Sequence, residues 1–265
     1  MLFDTHSHIY MCNKKQELEI IQALKDEDIK TTSIGVDLET SKKSIELALK
    51  YGKTIYASIG IHPNDVGKYK DDIDGIFEVF EKLIIENSNV IVGIGETGFD
   101  FYHDKKEDKL ELQEIFFKKH IFLAKKYSLP IIIHSRNARD DTFRVLVEED
   151  FKNFILHCFG EDLEYASKII DFSNNCKISF AGNITYKSSI NIQNTAQNIP
   201  LKNILIETDS PFLTPQIFRG SENYPNYVKY VLEKIVDLRL SSGKKERFNE
   251  IEDIIYKNSL EIYGL

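Results

Sequence analysis

Cysteine is scarce in this chain of 265 residues, and no apolar run approaches the length of a membrane helix. The three cysteines, Cys12, Cys158 and Cys176, form an odd set without a CxxC spacing, which argues against a disulfide framework and a cysteine-rich zinc module. Among the longest apolar runs is VIVGIG at 90–95, far short of the roughly 18–20 residues that span a bilayer. We therefore expect a cytoplasmic protein without a membrane partner, to which the nucleus would also be open in a eukaryote.

Basic charge and nucleotide-binding loops are also lacking. The chain has 34 basic and 42 acidic residues and a net charge of −8, which argues against non-specific coating of nucleic acid. A nucleic-acid substrate held by metal ions at a small site stays compatible with this charge. The chain contains neither GxGxxG after a strand nor GxxxxGK[ST], which weakens the case for a doubly wound fold that binds nucleotides. The N-terminal MLFDTHSHIY is polar where a signal peptide has a basic end and an apolar run.

Short strand-like runs alternate with longer segments of helical spacing. Eight such runs lie near 2–5, 30–35, 54–59, 90–94, 130–133, 153–156, 177–180 and 203–206. This length and alternation predict one domain over 1–265, an α/β fold of the (β/α)8 TIM-type barrel class. A doubly wound sheet is the alternative, because alternation alone does not separate the two folds.

Two of the intervening segments carry an apolar stripe. In 108–127 we expect Leu112, Ile115, Phe116, Phe122 and Leu123 to share one helix face. Near the end of the chain, the spacing predicts a second stripe of Val228, Val231, Leu232, Ile235 and Val236. Both stripes are predicted to pack against the strands.

Side chains that can bind metal collect at the ends of the predicted strands. Five of the seven histidines and two carboxylates lie at or just after a strand's C-terminal end: His6, His8, His62, His134, His157, Glu96 and Asp209. In a barrel these ends converge on one face, where the active site is built. The other two histidines, His103 and His120, fall in a loop and within a helix, and we expect structural roles for them.

His6 and His8 form the sharpest local signal. Alternate residues of a strand point to the same side, so an HxH pair can present two imidazoles to one ion. Imidazole and carboxylate ligands suit Zn, Mn, Fe or Co, and Mg at a position richer in carboxylates. Four histidines and two carboxylates exceed the needs of one four-coordinate ion. They predict two ions about 3.5–4 Å apart that share a bridging carboxylate and lower the pKa of a water towards about 7.

Seven segments together resemble a known family, the TatD-like metal-dependent deoxyribonucleases of the amidohydrolase barrel superfamily. They are FDTHSH at 3–8, GIHP at 60–63, GETGFD at 95–100, IIHSR at 132–136, HCF at 157–159, ETDSPFLTP at 207–215 and RGSENYP at 219–225. The resemblance covers essentially the whole chain. Two departures, Gly160–Glu161 and Ser221–Glu222, reduce the positive charge expected at the rim of the site.

The resemblance implies a role for each residue. One ion would be bound by His6, His8, Glu96 and Asp209, and Glu96 would bridge to a second ion held by His134 and His157. The two ions would be divalent cations such as Mg, Mn or Zn. Glu96 and Asp209 would be catalytic, with Asp209 also accepting a proton from the water.

Three further residues would bind substrate. His62 and Arg136 would bind a phosphate group. Arg219 is another candidate for this role, with a salt bridge at a helix entry as its alternative. Asn223, close before Pro225, is predicted to cap the helix that follows.

The function implied is that of a hydrolase acting on ester bonds: a metal-dependent deoxyribonuclease, acting as a 3′–5′ exonuclease on single-stranded DNA. The alternative enzyme hydrolyses an ester or amide, such as a D-aminoacyl-tRNA deacylase, because an ion-bound hydroxide attacks carbonyl carbon and phosphorus alike. An inactive barrel that serves as a binding module is disfavoured because every implied ligand is present. We expect a monomer with DNA as substrate and no protein partner.

Overall fold

Strands and helices alternate along the whole described chain. A computed structural model describes residues 1–102 and 106–265, apart from the side chain of Glu107, and His103 lies outside this part. Within it, strands β1 to β8 span Leu2–Ser7, Ile29–Ile34, Ile55–Ile59, Ile91–Asp100, Ile131–Arg136, Phe154–Leu156, Lys177–Phe180 and Ile204–Ile206. Helices α1 to α9 span Lys14–Asp26, Leu38–Tyr51, Ile73–Glu86, Lys106–Tyr127, Arg139–Glu148, Leu163–Phe172, Ile190–Asn198, Val228–Ser241 and Phe248–Tyr263. Every predicted strand begins at or beside its expected residue.

The eight strands form one parallel sheet in sequence order, from β1 to β8. The sheet curls so that the residues after β8 return to the end of β1. There Asp209 N donates to His6 O at 2.9 Å and His8 N donates to Ser210 O at 2.8 Å. The predicted (β/α)8 barrel is therefore confirmed, and the doubly wound alternative is wrong because its sheet would stay open.

Two apolar cores hold the barrel. The outer core fills the space between the strands and the surrounding helices. The inner core lies inside the barrel and is made of Phe3, Ile34, Tyr56, Val92, Ile132, Ile155, Leu205, Ile262 and Tyr263. Its last two members belong to α9, and the Tyr263 hydroxyl donates to Thr5 O at 2.8 Å. Helix α9 thus closes the N-terminal end of the barrel and leaves the carboxyl ends of the strands for the site.

The helix stripes match the prediction in one case and only partly in the other. All five residues predicted for α8 are buried. On α4, however, Ile115 and Phe122 point to solvent, because the buried side runs through Gln113, Phe116, Phe117, His120, Ile121 and Ala124. At about 100° per residue, positions 115 and 122 lie on the opposite side of that helix. No helix in the described residues has both the length and the apolar character to cross a membrane.

Tyr263 tests the support that α9 gives to the barrel interior. Tyr263→Ala is expected to lower the free energy of unfolding by about 3–5 kcal/mol, because it leaves a cavity against Phe3 and an unpaired carbonyl at Thr5. Tyr263→Phe keeps the ring and removes only the donor, so the loss should be about 1 kcal/mol. Urea unfolding of both variants beside the parent protein measures the difference. A loss in Tyr263→Ala no larger than that in Tyr263→Phe would show that the ring does not support the interior.

Candidate metal centre

The carboxyl ends of five strands bring the six predicted ligands together. His6 lies in β1 and His8 directly follows it, Glu96 lies in β4, His134 lies in β5, His157 directly follows β6, and Asp209 is the third residue after β8. Their ligand atoms form one cluster at the mouth of the barrel. Glu96 lies between two groups of side chains, and His6 of one group and His157 of the other approach it together.

A bulge in β1 turns His6 and the following His8 inward. Thr5 points into the barrel, where its hydroxyl lies 3.2 Å from that of Ser179 on β7. The pairing of β1 with β2 shifts register after Asp4, so the inward side passes from odd-numbered to even-numbered residues. His6 and His8 consequently face the barrel interior together, as the HxH spacing predicts.

Strict alternation along the second half of β4 places its carboxylates on the same inner side. Glu96 and Asp100 face the cluster, whereas Thr97 and Phe99 face helix α4. Thr97 Oγ1 lies 3.0 Å from the Nδ1 atom of His120. Both ring nitrogens of His120 bond within the protein, so its expected structural role is confirmed.

The first group contacts Glu96 through His6, which lies beside Oε2 of that carboxylate. The Nε2 atoms of His6 and His8 lie 3.3 Å apart. Asp209 Oδ1 lies 3.6 Å from His6 Nε2 and 3.4 Å from His8 Nε2, and Glu96 Oε2 lies 3.5 Å from His6 Nε2. Ligands 2.0–2.2 Å from a tetrahedral ion are roughly 3.3–3.6 Å from one another. These spacings therefore fit the donor set of one ion.

The second group surrounds the other oxygen of Glu96. His134 Nδ1 and His157 Nε2 lie 2.9 and 2.8 Å from Glu96 Oε1, and 3.3 Å from each other. His62 Nε2 approaches the same oxygen at 3.5 Å. The two oxygens of a single carboxylate thus face different histidines, which is the arrangement that a bridging ligand needs.

The outer nitrogens of the histidines indicate which ring atoms carry hydrogen. His8 Nδ1 lies 3.1 Å from the carbonyl oxygen of Ile34, and His134 Nε2 lies 3.1 Å from Asp100 Oδ2. Because these acceptors require an N–H, the other nitrogen of His8 and of His134 directs its lone pair into the cluster, as in metal-binding histidines. His157 Nδ1 lies 3.3 Å from Glu207 Oε1, an ion-pair distance without hydrogen-bond geometry.

The buried carboxylates require positive charge beside them. Burial opposes ionisation of Glu96, yet the charge of His157 and the hydrogen bonds from His134 and His157 hold the pKa of its carboxyl well below the ordinary value. Burial likewise disfavours a charged imidazole, yet Glu96 and Glu207 hold the pKa of His157 well above its ordinary value. Protons on the imidazoles or divalent cations can supply this charge, and the nitrogen and oxygen donors fit a divalent cation.

His62 is a neutral donor in this setting. Burial lowers the pKa of its imidazole to about 4. Its Nδ1 accepts a hydrogen bond from the backbone N of Asn64 at 3.1 Å, so the proton of the neutral ring lies on Nε2. His62 therefore presents an N–H to the cluster rather than a positive charge.

A cavity of about 670 Å³ opens onto the cluster of predicted ligands. This volume is within the roughly 300–1,000 Å³ of small-molecule sites. Arg136 lines the cavity, with its guanidinium 3.5 Å from the centre of the Tyr102 ring. Arg219 does not line it, because its guanidinium lies over Tyr186, 4.6 Å from the ring centre. Of the two arginines predicted to bind substrate, the structure brings only Arg136 to the cavity.

Two carboxylates that contact the predicted ligands, Asp100 and Glu207, were not predicted from the sequence. Asp100 accepts hydrogen bonds from Asn64 Nδ2 and the backbone N of Tyr102, and it faces His134 as described. Glu207 is completely buried and accepts a hydrogen bond from the backbone N of Cys158 at 2.7 Å. Asp100 lies four residues after Glu96, and Glu207 lies two residues before Asp209. Because alternate residues of an extended chain share a side, this even-numbered spacing could have predicted both carboxylates.

The predicted cap at Asn223 is wrong. The side chain is buried, and its Nδ2 atom donates to Thr208 O at 2.9 Å and to Phe212 O at 2.6 Å. The helical turn that begins at Pro225 is preceded by Tyr224, so Asn223 lies outside the capping position. Its amide instead holds together the loop that carries Asp209, a long-range role that local spacing does not reveal.

Comparison with known proteins places these features in a family. A family model described as TatD related DNase matches residues 3–264. The uncharacterized metal-dependent hydrolase YabD of Bacillus subtilis is 36% identical over 270 residues, which cover 100% of both chains. The uncharacterized metal-dependent hydrolase YcfH of Escherichia coli is 38% identical over 184 residues, which cover 69% of this chain and 65% of YcfH.

Solved structures with the same barrel fold include proteins of this family and beyond it. The crystal structure of YJJV, a TatD homolog from Escherichia coli K12, matches with a TM-score of 0.88 and 25% identity over 100% of this chain and 98% of that one. An N-acetyl-D-glucosamine-6-phosphate deacetylase from Mycobacterium smegmatis shares the fold alone, with a TM-score of 0.58 and 8% identity over 100% of this chain and 77% of that one. The chain belongs to the TatD-related DNase family of metal-dependent hydrolases.

Proposed function

We propose that this protein hydrolyses phosphodiester bonds of DNA with two divalent metal ions, trimming the 3′ ends of single strands. The proposal rests on the two carboxylate oxygens of Glu96, because Oε2 faces His6 while Oε1 faces His134 and His157. His8 and Asp209 would complete the first metal site. Bound divalent ions would lower the pKa of a water molecule and offset the charge of the attacked phosphate.

Asp209 is the ligand best placed to move a proton. Its side chain is 15% exposed, against 4% for Glu96, so it reaches the cavity. Burial opposes its ionisation, but the hydrogen bond from His8 and nearby imidazoles lower the pKa of its carboxyl. Asp209 is therefore ionised at neutral pH and can accept a proton from water.

Arg136 and His62 would hold the phosphate. The guanidinium of Arg136 offers a planar fork that matches two phosphate oxygens, and its stacking on Tyr102 limits the directions in which the fork can point. The Nε2–H of His62 can donate to a third oxygen. Arg219 would act only on substrate that extends beyond the cavity.

The small number of cationic side chains in the cavity supports a second candidate function. Histidines aside, Arg136 is the one cationic side chain among the described residues that line it, and Asp65 and Glu161 are acidic. A long polyanion gains little from such a rim. This favours, as the second candidate, hydrolysis of an ester or amide, because that reaction needs no phosphate contacts along a strand. D-aminoacyl-tRNA is one such substrate, although its RNA is a polyanion too, and parallel assays of it and of single-stranded DNA separate the two functions.

Metal stoichiometry tests the bridging role of Glu96. Glu96→Ala is expected to lower occupancy at both sites, because each loses an oxygen ligand, whereas His157→Ala should chiefly empty one site. Elemental analysis of purified protein gives the number of ions per chain. The same stoichiometry in Glu96→Ala and the parent protein would rule out bridging.

Steady-state kinetics separate proton transfer from phosphate capture. Asp209→Asn should lower kcat by about 10²-fold or more, the usual scale for loss of a general base. Arg136→Ala should mainly raise KM for a short single-stranded oligonucleotide, with its metal content unchanged. The roles are wrong if Arg136→Ala loses metal or Asp209→Asn keeps near-normal turnover.

Salt dependence tests the single cation of the cavity. Each phosphate neutralised on a single strand contributes roughly 0.7 to the slope of log K against log salt. With Arg136 as the cationic contact, log KM should rise with log salt with a slope below about 1.5, and Arg136→Ala should flatten it further. A slope above about 3 between 50 and 200 mM salt would indicate a basic surface that the cavity does not show.

A further inference from the structure

The loops after β7 and β8 form one wall of the cavity, which Asn183, Phe212 and Leu213 line. A Cβ atom at Gly182 would lie only 2.0 Å from Leu213 O, so glycine allows the two loops to touch. The backbone N of Gln216 donates to Thr185 Oγ1 at 2.7 Å, which ties the loops together again. Apart from Asp209, this wall carries no proposed metal ligand.

The side-chain oxygen of Asn183 is not held by a hydrogen bond from any described residue. Its Oδ1 atom is buried and has no hydrogen-bond partner among the described residues, although the side chain borders the cavity. The amides of Asn64 and Asn223, by contrast, donate to protein acceptors. Since rotation of an amide exchanges a donor for an acceptor, Asn183 can satisfy either type of group on a ligand. A buried polar atom without a partner calls for such an explanation.

Phe212 offers an aromatic surface beside the proposed base. Half of the side chain is exposed, with a relative exposure of 50%. Its backbone N donates to Asp209 O at 2.9 Å, and its ring meets that of His8 edge to face, with 6.1 Å between centroids. The ring is therefore anchored next to the proposed metal ligands His8 and Asp209. An exposed phenyl ring on a cavity wall can stack on a nucleobase of any sequence.

The opposite wall does not offer an equivalent surface. There the face of Tyr102 is covered by the guanidinium of Arg136, 3.5 Å from the ring centre. Among the described residues lining the cavity, Phe212 is the one aromatic side chain apart from the histidines. The cavity thus pairs a cation on one wall with a single stacking surface and an adaptable amide on the other.

We infer that Asn183 and Phe212 bind the nucleoside attached to the scissile phosphate, so that the enzyme takes one unstacked nucleotide at a time from a single-strand end. Phe212 stacks on the base, and Asn183 exchanges hydrogen bonds with the base edge or the sugar hydroxyl. The inference rests on the proposed phosphodiesterase function and specifies its substrate. Sequence tolerance follows, because stacking and a rotatable amide accept every base.

Two chromogenic phosphodiesters that differ only in the nucleoside test this inference. They are the p-nitrophenyl ester of thymidine 5′-phosphate and p-nitrophenyl methyl phosphate, both assayed with the metal-loaded full chain. The parent protein should favour the nucleoside ester in kcat/KM. Phe212→Ala should lower that preference roughly 5- to 100-fold, and Asn183→Ala should lower it roughly 5-fold or more. Phe212→Tyr, which keeps the ring, should retain most of the preference.

Calorimetric binding of thymidine 5′-monophosphate gives a second readout that does not depend on turnover. Affinity should fall in Phe212→Ala and stay at the parent value in Phe122→Ala, a matched loss of an exposed phenyl ring on the outer face of α4. Elemental analysis confirms equal metal loading in all variants.

Each outcome assigns the failure to one proposal. Equal losses on both esters in Phe212→Ala would mean that the ring only supports His8 or Asp209, and the nucleoside site would be wrong. A parent protein without preference would also overturn it. If the parent hydrolyses neither ester, the phosphodiesterase proposal fails. Nucleotide binding then decides the inference, which is supported by weaker binding in Phe212→Ala and contradicted by unchanged binding.

Discussion

Charge compensation around one buried carboxylate governs the mouth of the barrel. Glu96 is nearly inaccessible to solvent and ionised, so each of its oxygens needs a positive or hydrogen-bonding partner. Those partners come from β1, β5 and the end of β6, on both sides of β4. An open sheet with the same strand order would keep β1 far from β6. Only closure of the sheet brings both sets of histidines to the two oxygens of Glu96.

The rest of the barrel separates polar from apolar side chains along its axis. The N-terminal end is filled by the inner core and sealed by α9, which excludes water from the strands beneath the site. Local irregularities then set the direction of the ligands. The register shift in β1 turns His6 inward, and the long β4 carries Glu96 and Asp100 to the mouth on the same side. A regular strand pairing would not aim both strands at one point.

Features that depend on local sequence could be predicted, and those that depend on distant loops could not. Strand positions and the clustering of the candidate ligands at strand ends follow from periodicity and from the geometry of parallel barrels. The position of an exposed guanidinium group does not follow from them, because Arg136 and Arg219 lie on tyrosines that other loops supply. The misassigned face of α4 has a simpler cause. Apolar residues occur on both sides of that helix, and only tertiary packing shows that Phe122 is outside.

The closure of the barrel has a thermodynamic consequence. The backbone bonds that join β8 to β1 are made by His6, His8, Asp209 and Ser210, three of which also supply proposed ligand atoms. Anything bound by those side chains spans the first and the last strand of the sheet. Opening this junction and releasing the bound species are then a single linked equilibrium. Occupancy would stabilise the native barrel by RT ln(1 + [L]/Kd), so resistance to unfolding and catalytic competence would rise and fall together.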